Sequence, residues 1–396
     1  MPLSKVKTNS ITDNAVTSTQ VADNTITTNQ MANTAVHGRR NLVDNGAMLV
    51  SQKKSSWTGL GASTSTFTID RFRLYNYTGS GVASVTHSTE APDGFSRSFK
   101  VDCTTADTAL TGTQEALIIQ YIEAQNLQHL NFGSSNPKQL TLSFWVRSNK
   151  TGTYVAWLYQ SDGADAAAGT YTINTANTWE HKSITVNGNT LGAINNDNGH
   201  GIGIHFVLAA GPDFQSGTQV GADWASQVTA NRYVDQTVNL FDSTSNEFYL
   251  TGVQLEVGDK STPFEHRSFS DELYTCRRYY CQSGANGVAT ESWAAGVTTH
   301  ANYNYMQSDQ LNSTADRHPV SWMWPTPMRA SPTMTYYPAR TAITNTAARI
   351  NPYNSNTLVT FTGSPAARAE RFGGYFQGTS TDSNMMTFNY TASAEI

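Results

Sequence analysis

The sequence predicts an all-β protein: a thin N-terminal repeat stalk, then a β-sandwich, then a smaller C-terminal β-domain, with three chains sharing the stalk. Three observations point there. Only 14% of the residues are charged while 38% are hydrophobic, so Thr, Ser, Asn, Gln and Gly carry the polar mass, a composition suited to strands and turns. Apolar and polar residues alternate with period two in several segments, and long Leu-, Glu- and Lys-rich helical stretches are nearly absent. The first forty residues carry an internal repeat. At 396 residues the chain has room for two or three domains, read as a stalk over 1–40, a sandwich over 41–270, and a short helix with a β-domain over 271–396.

The stalk is read from its period. Val6, Ile11, Val16, Val21, Ile26, Met31 and Val36 recur at intervals of five, and ITDNAVTSTQ, VADNTITTNQ and MANTAV show a doubled unit. Periodicity of this kind marks a repeated structural unit. On a helix these positions would rotate by about 140° each and form no stripe. Five also misses the strand period. The spacing fits short extended arms joined by turns at Asp or Asn, each offering one apolar side chain. One such chain cannot offset an ordering entropy of roughly 1–2 kcal/mol per residue. Three chains about an axis bury three apolar residues per layer, so a homotrimer is expected. A Thr/Asn-rich tail that orders only on docking to another protein is the alternative.

The units ITDNAVTSTQVADNTIT resemble the Thr/Asp/Ala-rich repeats at the N-termini of bacteriophage tail fibres and related virion appendages. The resemblance implies attachment to the particle through the N-terminus, with the remainder facing the host.

His37-Gly38-Arg39-Arg40 breaks the period, and Asn41–Met48 (NLVDNGAM) opens a new element. Short strands separated by Gly, Asn, Asp and Pro follow, as in a β-sandwich. In Gln139–Ser148 the residues Leu140, Leu142, Phe144 and Val146 form the core set, which turns Trp145 and Arg147 to the other face. Thr153–Gln160, after a turn at 149–152, is read as its hairpin partner, with Trp157 and Tyr159 on one side. Gly201–Ala209 sets Ile202, Ile204, Phe206 and Leu208 against His205 and Val207, and Phe248–Val257 sets Val253 and Leu255 against Gln254 and Glu256. If the second faces share a sheet, Trp145, Arg147, His205, Gln254 and Glu256 form one surface.

NLVDNG, LTLSFWVRS and FYLTGVQLEVGDKSTPFEHR resemble the corresponding segments of jelly-roll carbohydrate-binding modules. That resemblance implies sugar binding on a sheet face or end loops, with aromatic rings stacked on pyranose faces. Ala47-Met48 stands where an acidic residue often follows the opening Asn-Gly in that class, which weakens the case for its structural calcium. The candidate glycan-binding residues are Trp145, Arg147, Trp157, Tyr159, His205, Gln254 and Glu256, and Trp179 and Trp224 are of the right type to join them.

In the last third, Asp271–Gln282 reads as one short helix, because Leu273, Cys276, Arg277 and Tyr280 sit three or four apart. Pro319, Pro325, Pro327, Pro332 and Pro338 confine their region to edge strands and loops, and Met385–Ala392 reads as the final strand. TPFEHRSFSDELYTCRRYY and FNYTASAEI also resemble phage fibre and virion-appendage proteins, in which a short module follows the sandwich. Its aromatics serve either a trimer interface or a distal receptor site.

The chemistry-bearing groups fit structure better than catalysis. Asp162, Asp165, Asp213 and Asp223 lie in no spacing that an acid–base pair demands and read as solvated loop carboxylates. Asp162, Asp165, Asp197 and Asn198 could ligate a structural calcium together with backbone carbonyls, but they lack an EF-hand ladder. HExxH, GxSxG and P-loop patterns are absent, so neither a metal nor another cofactor is expected. Gly199–Gly203 enters a strand and reads as a tight turn. Cys103, Cys276 and Cys281 form no CxxC pair and are expected as free buried thiols. The net charge of −5, with no basic run, argues against a nucleic-acid partner. With neither a secretory segment nor a window of about 18 apolar residues, the product is expected to be soluble, made in a cytoplasm and resident in a virion. The expectation is a non-enzymatic phage fibre whose partners are itself, another virion protein and a host surface glycan. A head-decorating fibre or tail adaptor without sugar affinity, and a polysaccharide-degrading tailspike, are the alternatives.

Overall fold

The computed structural model describes residues 39–283, 304–307, 317–338, 346–350, 356–360, 366–377 and 385–396. The seven stalk positions from Val6 to Val36 lie outside these residues. The sandwich is built from β1 (Ser56–Leu60), β2 (Thr64–Phe67), β3 (Arg73–Asn76), β4 (Val82–Ser88), β5 (Ser98–Thr105), β6 (Glu115–Glu123), β7 (Leu140–Ser148), β8 (Gly152–Gln160), β9 (Asp165–Ile173), β10 (Glu180–Val186), β11 (His200–Ala210), β12 (Ala225–Ser226) and β13 (Glu247–Val257). They form a first sheet in the order β1-β4-β5-β13-β7-β10 and a second in the order β12-β9-β8-β11-β6-β3-β2. All pairings are antiparallel, and the arrangement is a jelly-roll β-sandwich.

The core lies between the sheets and is set by alternation. Leu140, Leu142, Phe144 and Val146 point from the first sheet toward Ile202, Ile204, Phe206 and Leu208 of the second, all of them buried in one cluster. Phe144 meets Phe206 edge to face at 4.9 Å. Each such side chain contributes about 1.5–3 kcal/mol of gross burial. Val253 and Leu255 join the same core, as expected.

Two expectations change. β7 and β8 are not a hairpin: β7 pairs with β10 and β13, whereas β8 pairs with β9 and β11. The 149–151 connection therefore crosses from one sheet to the other. Both strands carry an apolar face, and those faces meet across the core instead of lying side by side. The helix is also shorter than expected. α1 spans Phe269–Cys276, capped by Ser268, whose hydroxyl accepts from the Asp271 N–H at 3.2 Å. The chain then turns, and Tyr280–Gln282 becomes β14.

NLVDNG is a fastener for the sandwich. The Asn41 side chain accepts from the Val43 and Leu255 N–H groups and donates to the Val253 carbonyl at 3.0 Å. It thereby replaces ladder bonds that a bulge in β13 leaves open. Asn45 ties Val50 to Asp70 through their carbonyls.

In the C-terminal part, β15 (Asn304–Gln307), β17 (Thr333–Pro338), β18 (Thr346–Ile350) and β14 all pair with β22 (Met385–Ser393), and β19 (Asn356–Thr360) pairs with β18. β22 is the expected final strand, extended by one residue. β16 (Arg317–Met323), β21 (Arg371–Gln377) and β20 (Ala366–Ala367) form a separate sheet. Pro319 lies on the edge strand β16, Pro338 ends β17, and Pro325, Pro327 and Pro332 lie between strands. This part docks on the sandwich through buried charge. Arg71 lies 3.3 Å over the Tyr279 ring and within ion-pair reach of Asp44 and Glu395. Arg278 grips Glu123 with two bonds of 2.6 and 2.7 Å, and Arg329 donates to the Asn198 carbonyl at 2.9 Å.

Candidate functional site

The strand assignment divides the sequence-predicted surface. Trp145, Arg147, Gln254 and Glu256 belong to the first sheet, whereas Trp157, Tyr159 and His205 belong to the second. Their side chains leave the sandwich on opposite outer faces, so no single surface holds all seven.

On the first sheet, Gln254 and Glu256 are already engaged. Gln254 and Glu256 are buried beneath the segment leaving β13. Glu256 accepts from the Thr262 N–H at 2.8 Å and hydroxyl at 2.6 Å, and Gln254 accepts from the Glu265 N–H at 2.8 Å. Both residues fasten the chain to the sheet and are closed to a ligand, because alternation reports a face and not what crosses it. Arg147 pairs with Glu90 at 2.7 Å and stands 4.8 Å over the Tyr249 ring. That contact holds the half-exposed Glu90 carboxyl below its usual range. Trp145 leans on His181 at 5.3 Å, and Trp179 meets Tyr249 at 5.9 Å. Trp224 is in the core, its indole donating to the Asn187 carbonyl at 2.7 Å.

The second sheet is different. Cross-strand register places Arg73, Ile119, His205 and Trp157 in one row over β3, β6, β11 and β8. One level along, Tyr121, Gly203 and Tyr159 form the next row. Gly203 leaves room there for the Tyr121 ring: a Cβ on it would lie 2.7 Å from that ring and 3.0 Å from His205.

Two stacked pairs flank the notch, Tyr121 on His200 at 4.2 Å and Trp157 on Tyr159 at 5.0 Å, with ring planes within 6° and 9° of parallel. Tyr75 stacks on the exposed Tyr77 at 4.3 Å. Arg73, Tyr75, Tyr121, Tyr159 and His200 are half-buried, which leaves ring surface open.

The floor of this face is polar and unsatisfied. Trp157 is 2% exposed and His205 4%, yet the indole N–H and both imidazole nitrogens have no hydrogen-bond partner. Burial, reinforced by Arg232, Arg73 and His200, holds the His205 pKa well below its ordinary value, so the ring is neutral.

The 211–239 segment covers the rest of the face. Phe214 and Tyr233 pack at 5.2 Å, Tyr233 meets Trp157 at 6.0 Å, and its hydroxyl donates to Glu115 at 2.7 Å. Arg232 lies 5.0 Å over the Trp157 ring. Burial raises the Glu115 carboxyl above its usual range.

Of the predicted residues, this face brings together Trp157, Tyr159 and His205. Sequence reasoning missed Arg73, Tyr75, Tyr77, Tyr121, His200, Arg232 and Tyr233. The run RFRLYNY held a usable signal for three of them, because Phe72 and Leu74 are core residues while Arg73, Tyr75 and Tyr77 alternate outward. Tyr121 had none, since β6 is apolar on both faces.

The carboxylates stay apart in function. Asp162 is exposed and accepts from Asn195 at 2.8 and 2.9 Å. Asp165, read as solvated, is 3% exposed and accepts from Asn189 at 3.0 Å. Asp197 accepts from the Gly199 N–H at 2.8 Å, and Asn198 donates to the Arg329 carbonyl. Asp213 and Asp223 are exposed. Among the described residues, no group of three or more His, Cys, Asp or Glu side chains could hold a metal ion, and no helix is long and apolar enough to cross a membrane. Cys103, Cys276 and Cys281 are free and buried.

No family model and no curated protein matches the chain. Solved structures do. The enzymatically active domain of tailspike protein 4 from bacteriophage CBA120 is 13% identical, with a TM-score of 0.29, over 55% of this chain and 21% of that one. A putative sugar-binding protein from Bacteroides thetaiotaomicron is 12% identical, with a TM-score of 0.30, over 55% of this chain and all of that one, 100%. The family 11 carbohydrate-binding module of Clostridium thermocellum, solved with a mixed-linked β-1,3-1,4 tetrasaccharide, is 12% identical, with a TM-score of 0.25, over 54% and 99%. At these identities and scores, no ligand or activity passes from them to this chain.

Proposed function

We propose that the chain is a glycan-binding fibre protein of a bacteriophage particle. In this reading the N-terminal repeat trimerises and attaches to the virion, and the sandwich presents the outer face of its second sheet to a host surface polysaccharide. One observation carries the glycan reading: the half-buried rings of Tyr121, His200 and Tyr159 flank a buried floor, Trp157 and His205, whose ring nitrogens lack partners. Flat rings offer apolar area to the C–H faces of a pyranose, and a buried unpaired N–H costs about 1–3 kcal/mol until an oxygen reaches it. A surface with no ligand gains nothing from that arrangement. On the first sheet's outer face Arg147 Nε and Thr251 Oγ1 also lack partners, but Arg147 and Lys100 are paired with carboxylates and the sheet carries no stacked ring pair.

In this reading the chain carries no catalytic step, and Asp162 and Asp165 each accept from a separate Asn. Weak individual sugar contacts become useful when three copies act together. The test is a glycan array of bacterial surface polysaccharides probed with the full chain and with a Tyr121→Ala/Tyr159→Ala variant. Binding by the parent that the variant loses by tenfold or more, with no release of reducing ends, is the expected result. Absence of binding to every glycan removes the reading, and steady release of reducing ends replaces it with a depolymerase.

A further inference from the structure

The unmet hydrogen-bonding demand on the second sheet is lopsided, and its chemistry says more than that a sugar binds. Three of the unpartnered buried atoms can only donate: Arg73 Nε, Arg232 Nε and Trp157 Nε1. A neutral His205 adds one donor and one acceptor. The face therefore seeks four acceptor atoms and supplies one.

Charge is lopsided in the same sense. Among the described residues no carboxylate lies within ion-pair reach of Arg73, whose bond of 3.1 Å to the Tyr121 hydroxyl leaves its charge uncompensated. Arg232 has only Glu115 at 3.7 Å, and that carboxylate already accepts from the Tyr233 hydroxyl. These groups are contiguous. Arg73 stands 5.1 Å from the Tyr121 ring, Tyr121 is 5.9 Å from His205, His205 is 4.9 Å from Trp157, and Arg232 is 5.0 Å from Trp157.

A pyranose hydroxyl can accept from these donors, but each one also brings an O–H that needs an acceptor, and the face supplies one. A carboxylate accepts only, through about four lone-pair sites, and charge-assisted bonds from guanidinium groups are about twice as strong as neutral ones. Resting on the glycan reading above, we infer that this face selects a polysaccharide bearing a carboxylate, with the acid group held by the half-buried Arg73 and a sugar ring against the Tyr121 and Tyr159 planes. Uronic and sialic residues share this chemistry.

The experiment measures binding of the full chain to polygalacturonate and to α-2,8-linked polysialate. Each is compared with the same polymer after its carboxyl groups are reduced to alcohols, with dextran sulfate as a non-carboxylate polyanion. The expected result is that one acidic polymer binds at least about tenfold more tightly than its reduced form, a difference of about 1.4 kcal/mol, and more tightly than dextran sulfate. Which polymer does so identifies the acid. Arg73→Gln abolishes the preference, and Arg73→Lys, which keeps the charge and guards against a merely unfolded variant, retains part of it. Equal binding of acidic and reduced polymers, or of dextran sulfate, overturns the inference and leaves glycan binding standing. Failure of both acidic polymers, while a neutral glycan binds on the array, also overturns it. Failure of every glycan overturns both.

Discussion

At the scale of single residues, the second sheet spends stability on unpaired nitrogen atoms. His205 sits under Tyr121 and beside Trp157 with neither ring nitrogen bonded. His205→Phe keeps a ring there and removes the unmet polar groups, so it should raise stability by about 1 kcal/mol at pH 7 while weakening glycan binding. Urea unfolding beside a binding assay checks both, and a destabilised variant with intact binding contradicts the site. The pH dependence has a definite sign. The folded pKa of His205 is depressed, so below the unfolded value of 6.5 the unfolded chain takes up a proton that the folded chain refuses. Stability is lost as pH falls through that value, and His205→Phe should flatten the loss. Asp70 works in the opposite direction. Burial raises its carboxyl from 3.8 to about 6, against the opposing effects of Lys53 and of the Gln52 bonds at 2.6 Å. A folded state that binds the proton more tightly loses stability as pH rises from about 4 to about 6, by roughly 3 kcal/mol at 1.36 kcal/mol per pH unit. The stability of Asp70→Asn relative to the parent should therefore fall by about that amount between pH 7 and pH 4, read from unfolding midpoints at each pH.

At the scale of elements, alternation was legible and sheet membership was not. The core sets of β7, β11 and β13 follow directly from period two, because a strand with one buried face must keep its apolar residues in phase. The same pattern says nothing about which sheet a strand joins, which is why β7 and β8 read as a hairpin and why Trp145 and His205 were placed on one surface. β6 and β11 hid their outward residues for a second reason. Leu117, Ile119 and Val207 form a second apolar cluster under Phe214 and Tyr233, so those strands look buried on both sides and their outer face does not alternate. The β13 bulge was hidden too, yet it is open to test. Gly252 sits at φ +61° at the register shift, and a Cβ there would lie 2.8 Å from the Phe95 ring and 3.0 Å from the Trp145 ring. A left-handed backbone costs a non-glycine residue about 1–2 kcal/mol before any clash. Gly252→Ala should destabilise by at least about 2 kcal/mol in urea unfolding. A neutral result would mean that the bulge and the Asn41 fastener relax freely.

At the scale of the whole molecule, the proposed trimer rests on a period that lies before residue 39, and the sandwich core lies wholly after it. The described residues hold a closed core, and the C-terminal end is tied to it by charge: Lys53 pairs with Glu395 at 2.9 Å, Arg71 is buried between Asp44 and Glu395, and Arg278 grips Glu123. None of these contacts needs a second chain. In the proposed fibre the pentad positions from Val6 to Val36 do, because one apolar side chain in five cannot offset the entropy of ordering the other four. Truncation separates the two. Multi-angle light scattering should give three chains per particle for residues 1–396 and fewer for residues 39–396, with the same far-ultraviolet circular dichroism per residue of the sandwich. Serine at Val16, Val21 and Ile26 should act like the truncation, since it removes three consecutive apolar layers while leaving every residue from 39 onward untouched. Loss of the trimer should also weaken binding to an immobilised polysaccharide by tenfold or more, as three linked weak contacts become one, while affinity for a short soluble oligosaccharide stays constant. A truncated chain that remains trimeric would move the subunit contact into the β-domains, and a full-length monomer would remove the fibre.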